Sequence, residues 1–454
     1  MNALITRLIF LAGLSSFSVQ ATCTPDLTLI GQTSWVQKKP SSWLIEGKDP
    51  YNRNNVFHDV ALNIDGRCSF FDGKLSLDSS VYGLAYAAWQ TPGNFEQDDG
   101  RSRLLVEKLQ FSWGITDALR ADFGKLRPDG GNFYLYSPAS LLKNYYAGFK
   151  AGSIYAEGMA AVYQESFWGA TISQVMPRYT LSFTAAPALT RPPARYHSSS
   201  NWSALSRGNS TERYLLNWTD YGIDNHTLSA SVMSGDATSV ALSERYTPEG
   251  AWAFSAEMAW HADPQWRHLD EDSVRRLHKG EYPSQLYTTR RAQNIELAVG
   301  AEYTTRHFSQ IGLEYYVQSA GYSSGEWRNQ TDLIKSLRYA GQGTFFGQIF
   351  DAYKYLMASE IYNVSSQGHL MGKHYITAWA SLALSGQARL QPSGVFNMRD
   401  GSVLLGLRYS RPIAMWDKNI EFYTGAFIAG GDKDTEFALF GESSSAYFGF
   451  KYHF

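Results

Sequence analysis

Through most of its length the chain alternates apolar and polar positions in short stretches separated by turn-forming residues. Ile295, Leu297, Val299, Ala301 and Tyr303 alternate with Glu296, Ala298, Gly300 and Glu302. Extended backbone repeats every two residues, so these two sets project to opposite faces of one strand, one oily and one wet. The next segment follows the same rule, with Ile311, Leu313, Tyr315 and Val317 set against Gly312, Glu314, Tyr316 and Gln318. Near the end Val403, Leu405, Leu407 and Tyr409 oppose Leu404, Gly406, Arg408 and Ser410, and Ile420, Phe422, Thr424, Ala426 and Ile428 oppose Glu421, Tyr423, Gly425 and Phe427. The final residues put Phe448, Phe450, Tyr452 and Phe454 on one face and Gly449, Lys451 and His453 on the other. Similar segments fall near 27–37, 56–67, 73–88, 101–113, 118–126, 153–163, 168–186, 212–219, 225–234, 238–246 and 251–262. Asp72-Gly73, Thr116-Asp117 and Pro248-Glu249-Gly250 supply tight turns between them.

The connections are either very short or very long, the asymmetry expected of a transmembrane antiparallel β-barrel with short periplasmic turns and long outer loops. Counting forward places 38–55, 127–151, 187–211, 263–292 and 320–351 outside. Counting back from Phe454 makes 412–417 a periplasmic turn and 397–402 an outer loop. The two counts disagree in parity, which locates a misassigned strand between about 345 and 398. The length predicts roughly 18 strands, with 16 as the alternative.

Ahead of the first strand, Arg7 and the apolar run Leu8 to Val19 lead to Val19-Gln20-Ala21, the pattern of a cleaved secretory signal over 1–21. Residues 22–454 then read as a single barrel domain without long linkers or repeats. No later stretch is apolar and uncharged for the roughly 18 residues a membrane helix needs.

Composition sharpens this picture. Mean hydropathy is −0.31, yet aromatics reach 15%, with 29 Tyr and 13 Trp. Modest hydropathy with abundant aromatics suits a barrel that exposes half of each strand to lipid and rings its edges with Tyr and Trp. The net charge of −2 argues against nucleic acid as a partner. Cys23 and Cys68 remain after processing in an oxidising compartment, which allows one disulfide between the amino terminus and the first periplasmic turn.

The ending on Phe448, Phe450, Tyr452 and Phe454 resembles the membrane-insertion signal of Gram-negative outer-membrane barrels. That resemblance implies the outer membrane as location, with its lipid, lipopolysaccharide and the barrel-assembly machinery as partners. A second resemblance rests on Gly124-Lys125-Leu126-Arg127-Pro128-Asp129-Gly130-Gly131, the Ser137-Pro138 step, and Asn397-Met398-Arg399-Asp400-Gly401-Ser402. These segments look like porin-like barrels of the alginate-export type. The resemblance implies passage of a small hydrophilic solute or an exported polysaccharide through an aqueous lumen, with periplasmic export partners in the latter case.

A barrel of this size leaves a water-filled bore unless loops fold in. The connection 127–151, rich in Tyr and Gly, is the candidate constriction; the alternative is an outer loop that never enters the bore. Arg120, Asp122, Lys125 and Arg127 on one wall, with Glu296, Glu302, Glu314, Arg408 and Glu421 opposite or nearby, are the expected pore-lining charges that set selectivity. The basic loop 263–292 is expected either to pair its own charges or to meet lipopolysaccharide phosphates.

No Gly-x-Ser-x-Gly, His-Glu-x-x-His, Walker loop or Cys-x-x-Cys motif occurs, and no metal or cofactor is implied. His226, His261, His307, His369 and His374 are scattered. The leading expectation is a passive channel without enzymatic activity. A binding or assembly barrel with a filled lumen is the second class, and an outer-membrane enzyme using a rim histidine the third. A plug-gated receptor, usher or secretin would need further domains before the first strand, which begins near Leu27.

Overall fold

The computed structural model describes residues 22–43, 55–88, 102–127, 131–142, 166–190, 208–263, 267–289, 293–339, 346–366, 370–413, 419–432, 434–439 and 441–454. The expected signal over 1–21 and the expected strand at 153–163 lie outside them.

Eighteen strands hydrogen-bond in sequence order into one antiparallel sheet. They are β1 (Thr22–Lys38), β2 (Val56–Phe70), β3 (Leu75–Ala88), β4 (Ser102–Gly114), β5 (Leu119–Leu126), β6 (Phe167–Val175), β7 (Tyr179–Ala186), β8 (Arg213–Asp220), β9 (His226–Gly235), β10 (Ser239–Tyr246) and β11 (Trp252–His261). After a two-stranded ribbon, β12 (His268–Leu269) and β13 (Tyr287–Thr288), come β14 (Asn294–Thr304), β15 (Gln310–Gln318), β16 (His374–Ala383), β17 (Arg389–Asn397), β18 (Val403–Pro412), β19 (Ile420–Gly430) and β20 (Glu442–His453). β20 pairs back onto β1, with Gly31 opposite Phe450 and Thr28 opposite His453, so the sheet closes. Closure pairs the backbone groups that an open edge would leave bare, which is what lets strands cross a bilayer.

Alternation sorts the faces as the sequence predicts. Leu405 and Leu407 are about half exposed on the outer surface while Leu404, between β17 and β19, is 3% exposed inside. Ile295 points out at 51% and Glu296 points in at 1%. Phe448, Phe450 and Phe454 stand on the outer face, Phe450 lying across Gly31 of the neighbouring strand and Tyr452 packing edge-on against Phe454. Cys23 and Cys68 are opposite one another in the β1–β2 register and are joined by a disulfide. Among the described residues no helix is long and apolar enough to cross a membrane, a test that does not bear on β-barrels.

The structure resolves the parity conflict. The segment read as one strand over 168–186 is two strands, β6 and β7, divided at Met176-Pro177-Arg178. The described residues between 345 and 398 form α3 (Phe346–Ser366), then β16 and β17 with a 3-10 turn at Ser385–Gln387 between them. β17 escapes a simple reading because it carries Pro392 and Gly394, residues that usually mark strand breaks. Connections 398–402 and 413–419 then fall at the outer and periplasmic ends, as the backward count requires.

The expected outer loop 320–351 is instead largely helical, with α2 (Ser324–Tyr339) leading towards α3. Together with α1 (Glu271–His278) these helices build a cap with its own apolar core. Trp43, Leu277, Tyr287, Tyr322, Trp327, Ile334, Met357, Ile361 and Leu439 are all buried in it. Strand alternation cannot reveal such a unit, because its residues follow helical rather than period-two spacing. Charges of loop 263–292 are absorbed by it: Arg275 pairs with Asp272, Arg276 with Glu281, Arg267 with Glu360, and His268 with Glu326. Arg290 and Arg291 lie outside the described residues.

Candidate functional site: a loop pinned inside the barrel

The connection after β5 turns into the lumen. Two inward-facing carboxylates receive it, each accepting two backbone N–H groups. Asn132 and Ala139 donate to Glu257 Oε1 and Oε2 at 2.9 and 3.1 Å. Tyr134 and Leu135 donate to Glu314 Oε1 and Oε2 at 2.8 and 3.2 Å. The Trp379 indole N–H also donates to Glu314, at 2.9 Å, and the Asn132 side-chain amide donates to Ser243 Oγ at 2.9 Å. Charge-assisted bonds of this kind are about twice as strong as neutral ones. They supply the partners that a non-regular backbone segment inside a barrel must have.

Local chemistry makes the turn. Gly131 has φ +75°, and a Cβ there would fall 2.1 Å from Ser137 Oγ, so only glycine fits. Ser137 Oγ in turn accepts the Phe133 N–H at 3.0 Å. The wall beneath is small: Ala241, Ala259, Ala298 and Gly300 face inward where the loop lies, and a Cβ on Gly300 would approach the Phe133 ring at 3.1 Å. Phe133, Leu135 and Tyr136 bury against Tyr316, Tyr375, Val395 and Leu404, while Leu141 and Leu142 bury against Ala186, Met233 and Ala241. Arg213 holds the far end, donating to Leu142 O at 3.2 Å with its guanidinium 5.7 Å from the Phe167 ring centroid. The loop thus covers the wall from β7 round to β18.

Tyr134 is the exposed aromatic residue of the described loop. It is 56% exposed, its ring stacks on Trp379 at 5.5 Å, and it lies within electrostatic reach of Arg408 and Tyr447.

The opposite wall, β1 to β5, carries a different arrangement. A polar pocket of about 380 Å³ is lined there by Asp26, Asp65, Arg67, Asp78, Tyr82, Glu107, Lys108 and Arg127 among others. Two of its carboxylates, Asp78 and Glu107, meet cations rather than backbone. Asp78 lies 3.5 Å from Arg67 and 3.8 Å from Lys108, and Glu107 lies 3.0 Å from Arg127. Arg120 pairs with Asp122 at 2.9 Å and donates to Ser112 Oγ at 2.8 Å.

The nine charges singled out from the sequence therefore occupy several environments. Arg120, Asp122 and Arg127 sit on the β4–β5 wall in ion pairs, and Lys125 is buried near the top of β5. Glu302 pairs with Arg245 at 3.2 Å, and Glu314 holds the loop. Glu421 is opposite Lys451 in the β19–β20 register, and Arg408 is half-buried. Glu296 is buried 3.9 Å from His261 Nε2, whose Nδ1 is 2.8 Å from Ser239 Oγ. That trio has the outline of a nucleophile, base and acid, but all three residues are at most 3% exposed, which closes it to a substrate.

Glu257, Arg213 and Tyr134 were not singled out from the sequence. A signal was present for Glu257. Its strand presents Ala253, Ser255, Glu257 and Ala259 to the interior, one acid among small residues, which is the pattern of a wall that accepts a packed segment.

No family model matches the sequence, and no curated protein matches it significantly. Solved structures do resemble it. OccAB1 of Acinetobacter baumannii aligns over 95% of this chain and 96% of its own, with a TM-score of 0.55 at 9% identity. OccAB3 of the same species aligns over 95% and 99%, with a TM-score of 0.52 at 11% identity. A BenF-like porin from Pseudomonas fluorescens Pf-5 aligns over 95% and 98%, with a TM-score of 0.52 at 9% identity. The chain therefore has the fold of the Gram-negative outer-membrane porins, a closed antiparallel barrel of 18 strands.

Proposed function

We propose that the protein is a passive outer-membrane channel for small hydrophilic solutes. The observation that carries this reading is the one-sided seating of the loop: Glu257 and Glu314 pin residues 131–142 against one half of the wall, and a polar, charge-lined pocket occupies the other. A loop meant to fill the lumen would gain by burying both walls. The described residues of this one bury their apolar side chains against β7–β18 and leave Tyr134 exposed on Trp379, an arrangement that suits a constriction. The porin fold of the structural neighbours agrees with it.

The reading is confined to small solutes, since a pocket of about 380 Å³ on the wall facing a pinned loop matches a monomeric solute rather than a polymer chain. Paired acids and bases along β1–β5 would offer such a solute donors and acceptors without a strong net field.

The experiment is reconstitution of the purified protein into planar bilayers and into liposomes. Discrete conductance steps, with liposome swelling that falls off as neutral sugars grow from mono- to trisaccharide, are expected. Absence of steps with intact folded barrels would refute the channel and favour the filled binding barrel.

A further inference from the structure

The connection between β19 and β20 crosses from the outer cap to the constriction loop, and successive side chains along it face different partners. Leu439 is buried in the core of the cap, with Trp43, Trp327 and Ile334. Phe437, two residues earlier, is buried in the other cluster, with Phe133, Leu135 and Tyr136 of the constriction loop. Glu436, immediately before Phe437, is 4% exposed and sits at the centre of a polar knot.

That knot gathers four segments. Glu436 Oε1 accepts the Met371 N–H at 2.8 Å, and Oε2 accepts from Tyr375 Oη and Asn397 Nδ2, each at 2.6 Å. Arg399, from the short connection between β17 and β18, approaches Glu436 Oε2 at 3.4 Å and Asp400 Oδ2 at 2.8 Å. Asp400 Oδ2 also accepts the Glu436 N–H at 2.9 Å. The Arg399 guanidinium lies 4.3 Å from the ring centroid of Trp327 in α2, and that ring stacks on Trp43 at 5.7 Å. On the cap side, Lys335 meets Asp434 at 2.6 Å, the Trp327 indole donates to Asp434 O at 2.9 Å, and Ser41 donates to Leu439 O.

We propose that Glu436 and Arg399 are positioning residues for the constriction, coupling the outer helical cap to the loop inside the barrel through Phe437. The proposal rests on the channel reading above and adds a regulatory layer to it. The carboxylates Glu257 and Glu314 fix the loop from the wall. Phe437 bears on it from above, at a height set by how the cap is seated. Interiors packed this closely shift between discrete arrangements rather than deform smoothly, so loosening the cap changes the aperture without touching a pore-facing charge. Both charges are so thoroughly enclosed that neither serves as a lumen charge, and each is tied to groups from both sides of the joint.

The test uses the full protein with a reporter at the exposed loop position, Tyr134→Cys, read by its rate of modification with a charged thiol reagent. The native disulfide leaves this as the single free thiol. In that background Glu436→Gln and Phe437→Ala are expected to raise the modification rate several-fold and to replace one conductance level with fluctuating sublevels. Trp327→Leu, far from the pore in the cap, is expected to do the same to a lesser degree, and Arg399→Lys to fall between it and the parent. Phe437→Leu keeps every polar contact and guards against a variant that fails to fold, folding being followed by heat-modifiable migration on gels. If folded variants show the parental modification rate and a single unaltered conductance level, the coupling is wrong while the channel stands. A wild-type protein that folds but never conducts removes the channel reading itself, and unaltered labelling alone would then decide against the coupling.

Discussion

The two halves of the barrel wall use the same residue types for opposite ends. On β11 and β15, Glu257 and Glu314 point inward and accept backbone N–H groups from the constriction loop. On β3 and β4, Asp78 and Glu107 point inward and meet Arg67, Lys108 and Arg127. What separates the roles is the neighbourhood. Around Glu257 and Glu314 the inward positions include Ala253, Ala259, Ala298, Gly300 and Gly312, which leave room for a packed chain, whereas Asp78 and Glu107 have the long basic side chains of Arg67, Lys108 and Arg127 beside them. Glu257 and Glu314 thus anchor a chain segment where small neighbours give it room, while Asp78 and Glu107, with basic side chains at hand, serve as lumen charges.

Removing the anchors breaks the contrast most directly. Glu257→Ala with Glu314→Ala leaves the four loop N–H groups of Asn132, Ala139, Tyr134 and Leu135 without acceptors, at about 1–3 kcal/mol each if they stay buried. The loop is expected to leave the wall, seen as protease cleavage within 131–142 and a lower melting temperature. Crowding the same wall acts in the other direction. Gly300→Val puts a side chain where Phe133 now packs, a strain of about 1–3 kcal/mol, and is expected to push the loop into the passage and lower the conductance.

On the bare wall, charge should matter more than packing. Arg67→Glu with Lys108→Glu strips Asp78 of both partners and is expected to move the reversal potential in a salt gradient towards cation selectivity, with little change in melting temperature. Arg120→Glu belongs to the same series and should give a smaller shift, because Asp122 already offsets it.

The smallest effect is expected in the cap. Asp270 caps α1 by accepting the Ser273 N–H at 3.0 Å, and the Ser273 hydroxyl and backbone bonds hold its carboxyl below the usual carboxylate range. Its contribution is therefore complete above the ordinary carboxylate pKa and fades as pH falls through the depressed value. Asp270→Ala should loosen α1 by about 1 kcal/mol, visible in amide exchange of 271–278 at neutral pH and less so in strong acid. Conductance should not change.

Much of the barrel was legible because period two is imposed by lipid outside and water inside, and it shows in residues such as Ile295 beside Glu296. The strand number followed from length. The readings failed in three places: the break at Met176-Pro177-Arg178 between β6 and β7 was passed over although its proline marks it, Pro392 hid β17, and the cap helices follow a spacing that a strand template does not register. At the site, the loop was legible as long and rich in Tyr and Gly, and Glu314 as an inward acid. That Glu314 would serve as a loop anchor was hidden, because the decisive neighbours, Gly300 across the strand pair and Trp379 on β16, are brought to it by register and not by sequence.

Single-channel recording of Glu257→Ala/Glu314→Ala beside the wild type bears most directly on the pinned loop. A larger unitary conductance in the variant, from barrels that remain folded and heat-modifiable, is the predicted result. Equal conductance in the two proteins would mean that residues 131–142 do not bound the passage.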